Sequence, residues 1–179
     1  MALRKAIAYS HKKEKPYTRR SRVKGQNYIK AIPPSKIVKF LMGDIKKFDN
    51  KGFPFNVVLK SVENAQVRDV ALEAARQHIH RELELAFKGN YFLKVCCYPH
   101  HVLRENKMIT GAGADRLQSG MSQAFGAAVG IAAQIKKGKI IFLVGVSTQK
   151  DTTIVRNILQ KIRPKIACSG QILVEQINK

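Results

Sequence analysis

The sequence is short of three kinds of residue whose presence would point to particular classes of protein. It has no tryptophan, three cysteines and 12 acidic residues in 179 positions. The cysteines, Cys96, Cys97 and Cys168, are odd in number and two are adjacent, which does not make a disulfide framework and is typical of a reducing compartment. No apolar run approaches the roughly 20 residues that span a bilayer, and no apolar signal-peptide core follows Met1. These absences predict a cytoplasmic protein with no membrane partner.

Positive charge is present in excess. Lysine and arginine total 33, so the formal net charge is +21 and the sequence pI is about 10.2. Self-repulsion of this size destabilises a compact chain, and a partner that neutralises it is expected. Nucleic-acid phosphates are the commonest such partner, although a generic polyanion or an anionic membrane surface would also explain the charge. Aromatic residues make up 7%, so composition does not favour stacking on single-stranded bases as the main binding mode.

The charge is densest in residues 1–36, which we treat as a separate basic arm. Residues 1–30 contain ten cations and one acidic residue, Glu14, and their apolar residues follow neither a helical nor a strand period. Such a segment cannot bury an apolar face, so it is predicted to be disordered alone and to fold onto RNA, or else to stay a solvated tail. The candidate RNA-binding residues of the arm are Arg4, Lys12, Lys13, Arg19, Arg20, Arg22, Lys24 and Lys36.

Residues 37–179 are predicted to form one α+β domain, in which an antiparallel or mixed sheet makes a sandwich-like core with two longer helices and one short helix. Alternating and continuous apolar runs between turn residues indicate the strands, and a four-residue turn indicates a hairpin between the fourth and fifth of them. The predicted strands are 37–42, 55–59, 91–98, 131–135, 140–146 and 171–177, with a turn at 43–44.

Apolar residues at three- and four-residue spacing predict a long helix over 62–88, with Ser61 as its N-cap and Gly89 as its stop. A short helix is predicted at 115–125. The chain is predicted to enter the last helix at Ser147-Thr148, with Asp151 or Thr152 as the helix cap. Pro164 is predicted to end this helix.

A basic loop at 99–116 leads into a glycine-rich turn. Gly111 and Gly113 start like a dinucleotide-binding fingerprint, but Arg116 stands where the third glycine belongs, and no Gly-Lys-Ser/Thr follows. The glycines instead allow a tight turn that can approach another chain closely, or they precede an ordinary helix start capped by Asp115. The candidate RNA-binding residues here are His101, Arg104, Lys107 and Arg116, and those of the predicted hairpin turn are Lys136, Lys137 and Lys139.

No constellation of residues in the sequence marks a catalytic or metal site. Cys96 and Cys97 are followed closely by two histidines, but neighbouring strand residues point to opposite faces, and no second pair stands at zinc spacing. His78 and Glu82 make a simple pair on one helix face rather than part of a His-Glu-x-x-His motif. The chain is therefore predicted not to be an enzyme and to use no metal, cofactor or small-molecule substrate.

Two stretches of the sequence resemble a known family, and the second is highly specific. The first contains Lys15-Pro16-Tyr17-Thr18-Arg19-Arg20, Ile32-Pro33, Lys36-Ile37, Phe40 and Met42-Gly43. The second contains Pro99-His100-His101-Val102-Leu103-Arg104-Glu105-Asn106-Lys107-Met108, Gly111-Ala112-Gly113-Ala114-Asp115-Arg116, Gly120-Met121 and Ala124-Phe125-Gly126. Together they resemble large-subunit ribosomal protein sixteen, in the archaeal and eukaryotic form also called ten-e. The absence of a long C-terminal extension is more similar to the archaeal form.

The resemblance implies an α/β sandwich-like domain that packs among helices of the large-subunit rRNA, below the central protuberance and near the A-site tRNA and the peptidyl transferase centre. It also implies that the central loop points toward the tRNA acceptor ends, that neighbouring ribosomal proteins are partners, and that the protein joins late in subunit assembly. The alternative is the RNA-binding subunit of an RNA-modifying enzyme, which would require a cofactor pocket or a titratable constellation.

The chain departs from the family pattern after the predicted short helix. The lysine, proline, threonine and arginine of a run common in the family are replaced by Ala127, Ala128, Ile131 and Gln134, and a common basic residue is replaced by Ser122. The rRNA contacts of those family residues do not carry over to these positions. The three lysines of the nearby turn are a candidate source of compensating charge.

Overall fold

The computed structural model describes residue 29 and residues 31–105 and 126–176. Strands and two longer helices confirm the predicted α+β class, whereas the predicted helix at 115–125 lies outside the described residues. In chain order the elements are β1 (Leu41–Gly43), α1 (Ile45–Asp49), β2 (Phe55–Ser61), β3 (Ala65–Arg68), α2 (Asp69–Phe87), β4 (Phe92–Val95), β5 (His101–Glu105), β6 (Ala127–Ile135), β7 (Ile140–Val146), α3 (Gln149–Ile162), a 3-10 helix (Arg163–Lys165) and β8 (Gly170–Gln176).

The strands form two antiparallel sheets. One has five strands in the order β1-β4-β7-β2-β8, and the other has three in the order β3-β6-β5. The predicted hairpin of β6 and β7 is therefore wrong, because the two strands belong to different sheets. A turn does join them, closed by a hydrogen bond of 3.1 Å from Lys139 N to Lys136 O. Alternation of apolar residues defines the faces of a strand but not its partner, so adjacency along the chain suggested the wrong pairing.

The long helix begins seven residues later than predicted, at Asp69 rather than at residue 62. Residues Ala65–Arg68 form β3 instead, because they pair with β6 from Ala65 opposite Ile135 to Arg68 opposite Ala132. The predicted N-cap is wrong as well: the Ser61 hydroxyl donates to Glu63 O at 2.7 Å, and the N-cap position is Arg68 without a side-chain cap bond. The position of Val67 fits both the helical and the strand spacing of apolar residues. The pairing of this segment with the distant strand β6 decides in favour of the strand.

Two further boundaries differ near the start of the domain. Of the predicted strand at 37–42 only Leu41 and Met42 join a sheet, as the first two residues of β1. The predicted turn at 43–44 leads into α1, whose first turn is capped by Asp44 through a bond of 2.9 Å from Lys47 N. Gly43 has a φ of +83°, and a side chain there would collide with the carbonyl oxygen of Tyr91. Glycine is therefore required at this close approach of two chain segments.

The basic loop is shorter than predicted, since His101–Glu105 forms β5. At the last helix, the predicted entry at Ser147-Thr148 is confirmed, but the cap is Thr148 rather than Asp151 or Thr152. Thr148 Oγ accepts from Asp151 N at 3.3 Å while the Asp151 carboxylate accepts from Thr148 N at 3.2 Å, which forms a capping box.

The main hydrophobic core lies between the sheets and the two longer helices. Helix α3 packs on β2, β7 and β8, and α2 packs on α3, β3 and β6. Phe142, Leu159 and Ile79 are fully buried in this core. A second, smaller cluster consists of Ile29, Val102 and Ile131. No helix within the described ranges is long and apolar enough to cross a membrane.

Candidate nucleic-acid interface

The three-stranded sheet holds both ends of the predicted central loop. Strands β5 and β6 are neighbours, and their last pair before the intervening residues 106–126 is Glu105 opposite Ala127. The two residues that flank the segment with Lys107 and Arg116 therefore lie opposite each other at one end of this sheet. A β-bulge between Leu103 and Arg104 interrupts the register just before that end. Bulges raise the local twist of a strand and redirect its side chains.

The predicted basic arm also leads to this sheet. Ile29 follows the undescribed residues 1–28, and its side chain is 3% exposed in the small cluster with Val102 of β5 and Ile131 of β6. An apolar side chain buried this deeply fixes its backbone close to the sheet. The predicted basic arm and the predicted basic loop are thus attached to the same two strands.

Two carboxylates of α2 hold the stretch of chain between Ile29 and β1. Asp69 Oδ2 accepts from Lys36 N at 3.0 Å, and Glu73 Oε2 accepts from Val38 N at 3.4 Å. Glu73 also accepts from Arg76 Nε at 2.7 Å, and this hydrogen bond holds the pKa of the carboxyl below its usual value. The same contact raises the pKa of Arg76. The charged pair therefore stays ionised and fixes the path of residues 36–38 across the helix.

The structure describes six of the residues predicted to bind RNA. His101 and Arg104 lie half-buried on β5, where His101 is opposite Ala132 of the central strand. Lys36 is exposed and is the first residue of the segment 36–38 that Asp69 and Glu73 hold. The other predicted positions fall outside the described residues and stay predictions: Arg4, Lys12, Lys13, Arg19, Arg20, Arg22, Lys24, Lys107 and Arg116, with the turn residues Gly111 and Gly113.

The three lysines of the β6–β7 turn form a separate patch, which we call the lysine turn. Lys136, Lys137 and Lys139 are all exposed, and the turn is fixed by bonds from Gly138 N to Ser61 O at 2.7 Å and from Lys137 N to Asn64 Oδ1 at 3.0 Å. They follow the last residue of β6, so about 27 Å of extended strand separates them from the loop end of the sheet. A single phosphate therefore cannot contact both the lysine turn and the loop end of the three-stranded sheet.

The residues that depart from the family pattern have distinct positions on β6. Ala127 and Ala128 are exposed, whereas Ile131 is 4% exposed and contributes to the cluster that holds Ile29. Gln134 lies opposite Gln66 of β3, and its Nε2 is buried with no hydrogen-bond partner among the described residues. Ile131 thus provides apolar anchorage for Ile29.

A cavity of about 320 Å³ adjoins the three-stranded sheet. It lies between Pro33-Pro34, the first residues of α2 and the outer part of β5 and β6, and its rim includes Lys36 and Arg68. Its lining combines the charged residues Lys36, Arg68 and Asp69 with apolar residues that include Leu103.

Three aromatic rings lie together where the chain passes from the five-stranded to the three-stranded sheet. The low aromatic content of the sequence did not indicate this arrangement. Tyr98 stacks on Phe40 and also contacts His100. The i and i+2 spacing of Tyr98 and His100 could have indicated a shared face. The participation of Phe40, 58 residues earlier in the chain, depends on the tertiary fold.

The cysteines have the character of structural thiols. Cys97 is 1% exposed and its Sγ lies 3.3 Å from Ile140 O, while Cys96 is half-buried. Burial raises the pKa of Cys97 to about 11 and also raises the pKa of Cys96, so both thiols are protonated at neutral pH. Within the described ranges no three His, Cys, Asp or Glu side chains are grouped to hold a metal ion.

An α+β domain in a chain with a net charge of +21 is typical of one class, the basic structural proteins of ribonucleoprotein particles. Residues 12–173 match the family model of ribosomal protein L16p/L10e. The chain belongs to this family. Similar proteins include the large ribosomal subunit protein uL16 of Thermofilum pendens, 43% identical over 179 residues that cover 98% of this chain and 99% of the relative.

Two further relatives carry the same name. The protein of Staphylothermus marinus is 46% identical over 82% of this chain and 79% of its own length, and that of Methanoculleus marisnigri is 43% identical over 83% and 82%. Family membership confirms the predictions of a structural constituent of the large ribosomal subunit, of a non-enzyme and of a cytoplasmic location in the ribosome. Ribosomal RNA and other ribosomal proteins are therefore its partners. The alternative of a subunit of an RNA-modifying enzyme is not supported.

Proposed function

We propose that this protein binds large-subunit rRNA near the A-site tRNA and the peptidyl transferase centre, and that it supports translation and late subunit assembly. The single observation that carries the proposal is the attachment of both basic segments to β5 and β6, through Ile29 and through the Glu105–Ala127 pair. Two cationic segments that leave one small sheet can converge on neighbouring strands of one RNA. The resemblance in the central signature supplies the expected location in the subunit.

The mechanism combines charge neutralisation with shape. A net charge of +21 releases counterions from rRNA phosphates, while the folded domain sets the distance between the RNA segments that it contacts. The arm, with Arg19, Arg20 and Arg22, neutralises phosphates between rRNA helices. The central loop, with Arg104, Lys107 and Arg116, contacts RNA where tRNA acceptor ends approach. The lysine turn contacts a separate rRNA segment.

Sucrose-gradient sedimentation of a tagged full-length chain from its native cells tests the subunit assignment. The chain is expected to sediment with large subunits in one-to-one amount and to remain there at moderate salt. A chain that stays at the top of the gradient would contradict the proposal.

The location is tested with a variant in which Arg104 and Lys107 are both changed to alanine. Polysome profiles are expected to show delayed large subunits or impaired translation, and chemical probing should show changed reactivity of the rRNA near the A site. The matched control changes Lys150 and Arg156, two exposed cations of the helix that packs on β2, β7 and β8, and should leave the profiles unchanged. Normal profiles and unchanged probing for the loop variant would contradict the location.

A further inference from the structure

A group of three rings, Phe40, Tyr98 and His100, forms a stack at the junction of the two sheets. The ring centroids of Phe40 and Tyr98 are 5.3 Å apart with their planes at 22°, and those of Tyr98 and His100 are 4.4 Å apart at 41°. Phe40 immediately precedes β1, and the other two rings lie in the connection from β4 to β5. Tyr98 is therefore the shared member of the stack, which has an inner end at Phe40 and an outer end at His100.

The inner end is anchored and the outer end is open. Phe40 is half-buried against the main core, and its carbonyl oxygen accepts from Val95 N at 2.8 Å. Tyr98 is 48% exposed and His100 is exposed, whereas Pro99 between them is buried. The backbone thus holds both outer rings toward solvent without using them to complete the core. Rings held in this way bind a planar partner at a small cost in conformational entropy.

The charges around the stack are positive. Residues 35–43 and 91–104 contain no aspartate or glutamate, and Lys36, Lys39 and Lys94 of these segments are exposed. The carboxylates that approach from α2 are buried and occupied, since Asp69 binds Lys36 N and Glu73 binds Val38 N and Arg76. An exposed aromatic surface with lysines on its own chain segments suits a nucleotide of RNA, whose planar base lies between two backbone phosphates.

We propose that the outer end of this stack binds an unpaired nucleobase of the large-subunit rRNA. This inference rests on the proposed function, since it needs an RNA partner. Each nucleobase has a π-face that continues an aromatic stack, and bulged or looped bases are the RNA groups available for such contacts. The neighbouring lysines contact the phosphates on either side of the base. The site thus adds a contact that does not depend on charge to an interface dominated by charge.

Substitutions at Tyr98 in the full-length chain test the contact through affinity for protein-free large-subunit rRNA. Tyr98→Ala is expected to lower affinity about tenfold at every salt concentration, because it removes one stacked base without removing a phosphate contact. Tyr98→Phe keeps the ring and is expected to stay within about twofold of the original affinity. Thermal unfolding of both variants shows whether the fold is retained. Unchanged affinity for a folded Tyr98→Ala protein overturns the proposal.

A tryptophan reporter tests stacking directly, because the chain has no tryptophan of its own. Emission from Tyr98→Trp is expected to be quenched when protein-free rRNA binds, since a stacked base quenches indole fluorescence. The matched control is Leu85→Trp, at a position on α2 that is 70% exposed, and its emission should stay constant. No quenching of Tyr98→Trp, or equal quenching of both variants, overturns the proposal.

Two outcomes separate this inference from the proposed function. If the chain sediments with large subunits but Tyr98→Ala binds rRNA normally, only the stacking site is wrong. If Tyr98→Trp emission changes in assembled subunits but not with protein-free rRNA, a neighbouring protein covers the stack, which also overturns the nucleobase assignment. If the chain does not sediment with large subunits, the proposed function itself fails.

Discussion

Both sheets have a central strand that pairs on two sides, but these strands differ in how deeply they are buried. In the five-stranded sheet, β7 has Phe142, Val144 and Val146 at 0% exposure beneath the longer helices. In the three-stranded sheet, β6 starts with exposed Ala127 and Ala128 and becomes buried only from Ile131 onward. The same type of pairing therefore produces a core strand in one sheet and a strand that extends out of the core in the other.

The difference separates the stability of this protein from its binding. The five-stranded sheet shares its core with α3, and its edge is tied by an ion pair of 2.6 Å between Lys60 and Glu175. The three-stranded sheet joins that core only at one end, through Val67, Ala133 and Ile135, and its other end holds the basic segments. We therefore expect substitutions in the five-stranded sheet to unfold the protein and substitutions at the outer end of the small sheet to weaken RNA binding.

The largest expected effect follows from Phe142→Ala in β7. Removing a fully buried aromatic ring leaves a cavity and should lower the free energy of unfolding by about 3–5 kcal/mol. Urea denaturation of the RNA-free chain measures this loss. A matched pair, Val144→Ala in the same strand and Val102→Ala in the small cluster, compares the two sheets at equal side-chain size, and Val102→Ala should cost clearly less. Equal losses at the two positions would remove the distinction between the sheets.

The next effect concerns Glu73, whose carboxylate joins α2 to the segment before β1. Glu73→Gln leaves Arg76 buried without its charged partner and should cost about 3 kcal/mol near neutral pH. Because the folded-state pKa of Glu73 lies below its usual value, its contribution is present above about pH 4.5 and is lost as the pH falls through the lower folded-state pKa.

A stability profile against pH for the original and Glu73→Gln chains measures the size and sign of this effect. The original chain should lose stability more steeply than the variant below about pH 4.5, so the two curves should converge in acid. Parallel curves would show that the carboxylate charge does not contribute.

Ile131→Ala is expected to lower stability less than the substitutions at Phe142 and Glu73, but to lower affinity for rRNA more. This substitution removes part of the cluster that holds Ile29 and should cost about 2 kcal/mol, since the site is near the surface end of the sheet. Affinity for rRNA should fall further than for the same substitution in the main core, Ile158→Ala, at a position of equal burial. Titration at a temperature where both variants are folded compares them. Equal affinities would mean that the anchorage of Ile29 does not position the arm.

The smallest effect on stability is expected when Lys136, Lys137 and Lys139 are changed together to alanine. Exposed side chains of this kind contribute within about ±0.5 kcal/mol each. The slope of log affinity against log salt should nevertheless become shallower by about 0.7–0.9 for each phosphate that the variant no longer neutralises. A steeply reduced melting temperature, or an unchanged salt slope, would contradict the assignment of these lysines to the RNA interface.

The sequence was sufficient to predict what depends on local chemistry. Charge density located the basic segments, the central signature indicated the family, and apolar periodicity located most helices and strands. The pairing of β7 with β2 and β4, the conversion of 65–68 from helix to strand, and the ring contact between Phe40 and Tyr98 could not be predicted. Each depends on residues far apart in the chain, and period alone does not specify which distant segment a strand or ring will meet.

Hydrogen–deuterium exchange of the full-length chain, free and bound to protein-free large-subunit rRNA, tests the division between the two sheets most directly. In the free chain, amides of β2 and β7 should exchange slowest, because they open only with the whole domain. On binding, the largest gain in protection within the two sheets should occur in His101–Glu105 and in the first residues of Ala127–Ile135. A gain confined to Phe55–Ser61 and Gly170–Gln176, with no change in the small sheet, would contradict the account.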